Sequence, residues 1–274
     1  MTTRAELIAN ICASLERNVE QARVKFAGSV KEVGVRYCYI DELLPAEIVD
    51  RVYRAFPSSE SMRLISTFRE RKFTSKNFDN FDPILKDVTF AMQDARVLQL
   101  VEQITGIRQQ IPDPTLYAGG LSTMSKGHFL NPHVDNSHEA SRRYYRTLNL
   151  LYYVTPGWSL ENGGNLELWD RRVKRNVTIV SRCNRLVIME TNPWSWHSVS
   201  PVRFDGVRCC VSNYYFSPVS PIGRDYFNVT SFSARPEQKI RRAMAWFDNK
   251  MRQAVRMIAA KGLGKKDVYE GAAN

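Results

Sequence analysis

Two histidines, one aspartate and one arginine carry most of the chemistry this sequence could perform. His133 and Asp135 stand two apart in NPHVDN. On an extended chain successive side chains alternate between faces, so these two project to the same side and could share one ion. His197, in WHSVS, offers a third donor from a later segment, after GGNLELWD and RLVIME. Two imidazoles and one carboxylate on one side of a metal leave the opposite positions open. Non-haem iron(II) enzymes use that arrangement to bind a co-substrate and dioxygen together. A structural zinc site would instead close its fourth position with a protein ligand.

Arg208 follows His197 by eleven residues, with Pro201 and Gly206 between them. A strand, a turn and a returning strand over that distance would bring the guanidinium into the cavity of the metal ligands. Arginine matches a carboxylate bidentately and keeps its charge in a dry site, so it suits a dicarboxylate whose other end chelates iron.

The elements that must position these groups are legible in the hydrophobic pattern. Leu7, Ile8, Ile11, Leu15, Val19 and Ala22 recur at a helical period over residues 3–26. VRYCYI at 35–40 predicts a strand, and Pro45 opens a helix that ends before Pro57. A strand is expected between Met62 and Phe73, a loop at SKNFDNFD, and one longer helix from Pro83 to the stop at Gly106. From Thr115 the texture changes to short apolar and aromatic runs bounded by Gly, Pro and Asn: TLYAGGLSTM, RTLNLLYYVT, GGNLELWD, NVTIV, RLVIME, WHSVS and VRCCVSNYYF. Their spacing fits a closed or two-sheet β fold. Helical texture returns at 236–261, where Ile240, Met244, Phe247, Met251, Val255 and Ile258 form one stripe between basic positions. The fold class is therefore mainly β with flanking helices: a double-stranded β-helix, or cupin-like jelly roll, with N-terminal helices and a C-terminal helix.

The stretch from Thr115 to Pro218 resembles the 2-oxoglutarate/iron(II) oxygenase superfamily, in its prolyl 4-hydroxylase-like branch. HVDN, LLYYVTPGW, GGNLELWD, WHSVSPV and RCCVSNYYF come in that family's order with similar spacing. The resemblance implies that His133, Asp135 and His197 ligate iron(II) and that Arg208 pairs with the far carboxylate of 2-oxoglutarate. It also implies a hydroxyl contact from Tyr153 to that carboxylate and a further co-substrate contact from Tyr117. Asn149 and Leu151 share the face of Tyr153 by alternation and would line the pocket. Cys210 stands where the family frequently has Ser or Thr. The loop from Tyr117 to His133 is longer than usual and contains His128, and both His128 and His138 are expected as loop residues. Trp194 and Trp196 are expected as core or pocket-wall aromatics. The implied organisation is one oxygenase domain over 1–274: a helical support region with some strands at 1–110, the β-helix core at 111–220 and a basic helix at 235–262. The implied reaction, with dioxygen, is hydroxylation with release of succinate and carbon dioxide, and Asp135 argues against halogenation, which needs a small residue there.

Bulk properties narrow the partners. The chain has 274 residues, 43% hydrophobic and 24% charged, which excludes disordered and fibrous classes. Charged residues interrupt the first apolar pattern and no run approaches a bilayer span, so a cytoplasmic location is expected. Cys12, Cys38, Cys183, Cys209 and Cys210 are odd in number and without CxxC spacing, which predicts reduced thiols. The net charge is +11, and from Arg235 onward ten Lys/Arg face four acidic residues. Arg142, Arg143 and Arg146 beside Tyr144 and Tyr145 would suit an anionic substrate. These features favour a small biosynthetic or glycan-related substrate. The alternatives are a prolyl or peptidyl hydroxylase acting on a protein, and a nucleic-acid-binding or demethylating oxygenase.

Overall fold

The computed structural model describes residues 2–117, 119–139, 141–258 and 269. Helix α1 (Arg4–Gly28) begins at Thr3, whose hydroxyl accepts from the Glu6 N–H while the Glu6 carboxylate accepts from the Thr3 N–H. That reciprocal cap satisfies two donors which would otherwise lack partners. A short turn of helix, α2 (Val30–Val33), ends at Gly34, and β1 (Tyr37–Ile40) follows. Pro45 precedes α3 (Ala46–Arg54).

Two expectations for the next segment change. The expected single strand before Phe73 is a hairpin, β2 (Arg63–Ser66) and β3 (Glu70–Ser75). The expected long helix is two, α4 (Pro83–Ala91) and α5 (Ala95–Thr105). The break has a local cause: the Asp94 side chain accepts the Arg96 N–H and so caps a new helix, which outweighs the continuous apolar pattern. Gly106 closes α5 with φ +70°, a conformation that costs glycine little.

The remaining strands are β4 (Ile111–Pro112), β5 (Gly120–Met124), β6 (Phe129–Val134), β7 (Tyr145–Tyr153), β8 (Leu166–Trp169), β9 (Asn176–Ile179), β10 (Arg185–Glu190), β11 (His197–Val199), β12 (Arg208–Ser217) and β13 (Ser231–Phe232). Helix α6 spans Lys239–Ile258; the rest of the expected basic helix, to 262, lies outside the described residues. Every pairing is antiparallel, in the order β1-β10-β7-β12-β5-β3-β6-β11-β8-β9. This sheet curls into a double-stranded β-helix, since β6 and β7, far apart in strand order, line one cavity.

Strand β3 was not foreseen in this role. It pairs with β5 through Phe73–Thr123 and with β6 through Glu70–Leu130, so a strand from the N-terminal region joins the two halves of the sheet. The stretch expected as a long loop before His133 is therefore β5, a tight turn holding His128, and β6.

Alternation along β7 sorts the two sides of the sheet. Leu148, Leu150 and Tyr152 join Leu186, Ile188 and Val211 in the core shared with α1, α4 and α5. Asn149, Leu151 and Tyr153 point the other way, into the cavity. Each fully buried aliphatic side chain in that shared core contributes about 1.5–3 kcal/mol, and the helices thereby brace the strands that carry the site.

Candidate metal centre and co-substrate pocket

His133 lies in β6, Asp135 just past its end, and His197 opens β11 directly opposite His133. Ligand atoms from all three lie within 4.8 Å of one another. The Nε2 atoms of His133 and His197 stand 3.7 and 3.6 Å from the Asp135 carboxylate oxygens. Each imidazole is oriented from within its own segment: Nδ1 of His133 is 3.0 Å from the Asn131 carbonyl and Nδ1 of His197 is 2.9 Å from the Ser195 carbonyl. A carbonyl only accepts, so Nδ1 carries the proton and the Nε2 lone pair of each ring faces the common hollow.

Electrostatics favour the ligand forms. Burial, with His197 close by, pushes His133 down to about 3, so its ring is neutral at physiological pH. Burial alone would raise Asp135, but Arg146, the two histidines and a hydrogen bond from Asn149 outweigh it and hold the carboxyl well below its ordinary value. Nη1 of Arg146 is 3.2 Å from Asp135 Oδ2, and Asn149 Nδ2 donates to the same oxygen at 2.8 Å. Phe232 stacks on the His133 ring at 5.2 Å and 19°.

The cavity has a volume of about 200 Å³. On β12, Arg208, Cys210, Ser212 and Tyr214 line it in strict alternation, facing Asn149, Leu151 and Tyr153 of β7. Met124, Leu130, Leu166 and Val199 give it apolar walls around Arg208. Arg208 is 3% exposed and has no acidic partner among the described residues. Its Nε and the Tyr153 hydroxyl are both buried without a hydrogen-bond partner. Burial pushes the Tyr153 phenol up, so it stays a donor. Buried donors left unpaired cost about 1–3 kcal/mol each, which a bound carboxylate would relieve. A His₂Asp donor set with two unpaired donors beyond it fits iron(II) and 2-oxoglutarate.

Several expected residues fall elsewhere. Tyr117 sits in the turn before β5 and does not line the cavity; Ser122 and Met124 of that strand do. The arginine cluster is dispersed: Arg142 covers the Phe227 ring at 4.3 Å, Arg143 covers Tyr144 at 5.6 Å, and only Arg146 reaches the cavity, already paired with Asp135. His128 packs on Phe73 and His138 bridges to Tyr145, both outside the lining. Neither Trp194 nor Trp196 lines it. Residues the sequence did not single out include Glu70 and Lys72 of β3, paired at 3.0 Å, and Thr230 and Phe232 beside β6. Tyr214 could have been found by extending the alternation from Arg208; nothing in the sequence marks Lys72.

Residues 119–216 match the family model described as the 2OG-Fe(II) oxygenase superfamily. This segment belongs to that superfamily. The 2OG-Fe(II) oxygenase segment contains all three candidate ligands, Tyr153 and Arg208. Over 79 residues the chain is 30% identical to prolyl 3-hydroxylase OGFOD1 of Mus musculus, an alignment that takes in 27% of this chain and 14% of that protein. The chain thus spans about one-seventh of the length of the curated relative it matches. Among solved structures, a prolyl 4-hydroxylase from Phytophthora capsici superposes with a TM-score of 0.52 at 16% identity, covering 96% of this chain and 81% of that one. The Pseudomonas putida prolyl-4-hydroxylase gives 0.51 at 14% identity, covering 72% and 98%. The non-heme alpha ketoglutarate dependent epimerase SnoN from nogalamycin biosynthesis gives 0.50 at 12%, covering 75% and 88%. At these identities the likeness is one of fold. No helix among the described residues is long and apolar enough to cross a membrane.

Proposed function

We propose that this chain is an iron(II)- and 2-oxoglutarate-dependent dioxygenase that hydroxylates an unactivated C–H bond. The observation that carries the reading is the convergence of His133, Asp135 and His197 within 4.8 Å on the wall of a cavity in which Arg208 has no acidic partner among the described residues. The three ligand side chains would hold the ion on one face and leave the other open. Arg208 would take the far carboxylate of 2-oxoglutarate, with Tyr153 donating a second hydrogen bond. The apolar walls exclude water around that guanidinium and so strengthen the ion pair. Asn149 and Arg146 hold the Asp135 carboxylate in place. Bound iron(II), 2-oxoglutarate and dioxygen would together supply the oxidant, with succinate and carbon dioxide as co-products.

A small polar substrate is supported by the lining residues Glu70, Lys72, Asn136 and Thr230, which offer charges and hydrogen bonds. A biosynthetic or glycan-related molecule fits that lining. Action on a prolyl residue is the second reading, supported by the prolyl 3-hydroxylase match. Succinate release in the presence of ferrous iron, 2-oxoglutarate and air tests the reaction class. A mass-spectrometric search of extracts for products gaining one oxygen atom separates small molecules from peptides. Absence of 2-oxoglutarate binding to the iron-loaded chain would overturn the proposal.

A further inference from the structure

Helix α6 is mounted with its apolar stripe outward. Its inner face is polar and fastened to the body: Arg242 donates to the carbonyls of Arg172 and Val173 at 3.0 Å each, Asp248 pairs with Arg69, and Asn249 exchanges two hydrogen bonds with the Phe232 backbone. Between these contacts Ala245 is buried. On the opposite side Ile240, Met244, Phe247 and Met251 are 80, 54, 62 and 54% exposed. A surface helix ordinarily turns such a stripe to the core, so this one presents its apolar side to a partner.

The surroundings say what kind of partner. The turn that Arg242 grips, residues 170–175, exposes Arg171, Arg172, Lys174 and Arg175, and the helix adds the exposed Lys239 and Arg241. Asp170 is committed to the turn itself, accepting the N–H groups of Arg172 and Lys174 at 3.1 and 2.9 Å and pairing with Arg175 at 3.7 Å, so Arg171, Arg172 and Lys174 carry the turn's excess positive charge. An apolar ridge beside cations on two separate elements is the pattern of an interfacial helix. There the apolar side chains enter the acyl boundary and the cations meet anionic headgroups. Nucleic acid would use the cations but offer nothing to Ile240 and Met244. Pairing with a second copy along the stripe would use the apolar side chains but offer no anionic partner to the cations of the 170–175 turn.

We propose that the outer face of α6 and the 170–175 turn together form a docking surface for an anionic lipid bilayer. The proposal is independent of the oxygenase reading. Its test is cosedimentation of the full chain with vesicles of phosphatidylserine and phosphatidylcholine, compared with phosphatidylcholine alone. Retention on the anionic vesicles at low salt is expected, with release as salt shortens the screening length. Met244→Ser/Phe247→Ser should weaken binding at least tenfold. Arg172→Gln/Lys174→Gln should weaken it about twenty-five-fold, at about fivefold for each charge near the surface. Both pairs are exposed, so an unchanged melting temperature is expected alongside. No retention at low salt, or equal retention of the Met244→Ser/Phe247→Ser variant, would overturn the proposal. So would self-association, measured by light scattering, that the same variant abolishes.

Discussion

Arg146 and Asp135 form a buried ion pair: Nη1 lies 3.2 Å from Oδ2, and the arginine side chain is 1% exposed. The same guanidinium donates to Asn136 at 2.8 Å and covers the Tyr214 ring at 4.4 Å. It is the counter-ion that lets a carboxylate remain ionised beside two histidines. Arg146→Met would leave Asp135 uncompensated, and losing one member of a buried pair costs roughly 3–5 kcal/mol. Chemical denaturation should show that loss, and titration with iron(II) or manganese(II) should show affinity lower by about 10–100-fold. Unchanged metal affinity would mean that Asn149 alone orients the carboxylate.

The candidate ligands and the co-substrate anchor should separate cleanly in binding. His133→Ala or Asp135→Ala is expected to abolish iron binding, because only two donors remain. Arg208→Ala should spare the metal and weaken 2-oxoglutarate by roughly 2 kcal/mol or more, about thirtyfold in Kd. Tyr153→Phe removes one neutral donor and should cost about 1 kcal/mol, near fivefold. Calorimetric titration with iron(II) checks the two ligand variants, and titration of the iron-loaded Arg208→Ala and Tyr153→Phe variants with 2-oxoglutarate checks the other two.

Gly164 tests how the pocket is fitted together. Its φ is +65°, and an added Cβ would lie 3.0 Å from Val202 Cγ2 and 3.2 Å from Arg208 Cδ. Gly164→Ala should therefore displace the arginine stem and raise KM for 2-oxoglutarate while leaving metal affinity close to that of the wild type. Neighbouring Gly163 is stricter, since a Cβ there would sit 2.0 Å from the Pro201 carbonyl oxygen. Gly163→Ala is expected to reduce the yield of folded protein.

The metal-free protein should lose stability as acid is added through a defined window. His133 titrates near 3 when folded against an ordinary 6.5, chiefly through burial, so between those values the unfolded chain binds the extra proton. Stability from this group is complete above 6.5 and declines as pH falls toward 3. Burial lowers His128 and His138 in the same direction. Asp135 adds its own loss only below its ordinary 3.8. Melting temperatures of metal-free wild type and His133→Asn across pH 7 to 4 should show a shallower fall for the variant. Parallel curves would assign the dependence to the other histidines.

What could be read in the sequence follows from where its information lies. The candidate pair His133 and Asp135 was legible because donor type and a two-residue spacing on a strand determine the facing, and the cavity face of β7 was legible for the same reason. The insertion of β3 between β5 and β6 was not, since strand pairing across fifty residues leaves no local trace. The split after Ala91 hid because the apolar pattern continues across it while Asp94 recaps the chain. The partner of Arg146 hid in a run of arginines that reads as one cluster and folds into three environments. Amphipathic spacing in α6 was visible, but periodicity does not say which way a stripe faces.

Lys72 and Glu70, on a strand far upstream of the family core, also line the cavity, whereas the candidate iron and co-substrate contacts all come from residues 119–216. Under the proposed function, the reaction centre and this part of the wall that a guest would meet come from separate stretches of the chain. Because β3 also pairs with β5 and β6, the Glu70 and Lys72 side chains, rather than the whole hairpin, would be the place to re-tool what the chamber accepts while its chemistry stays in place.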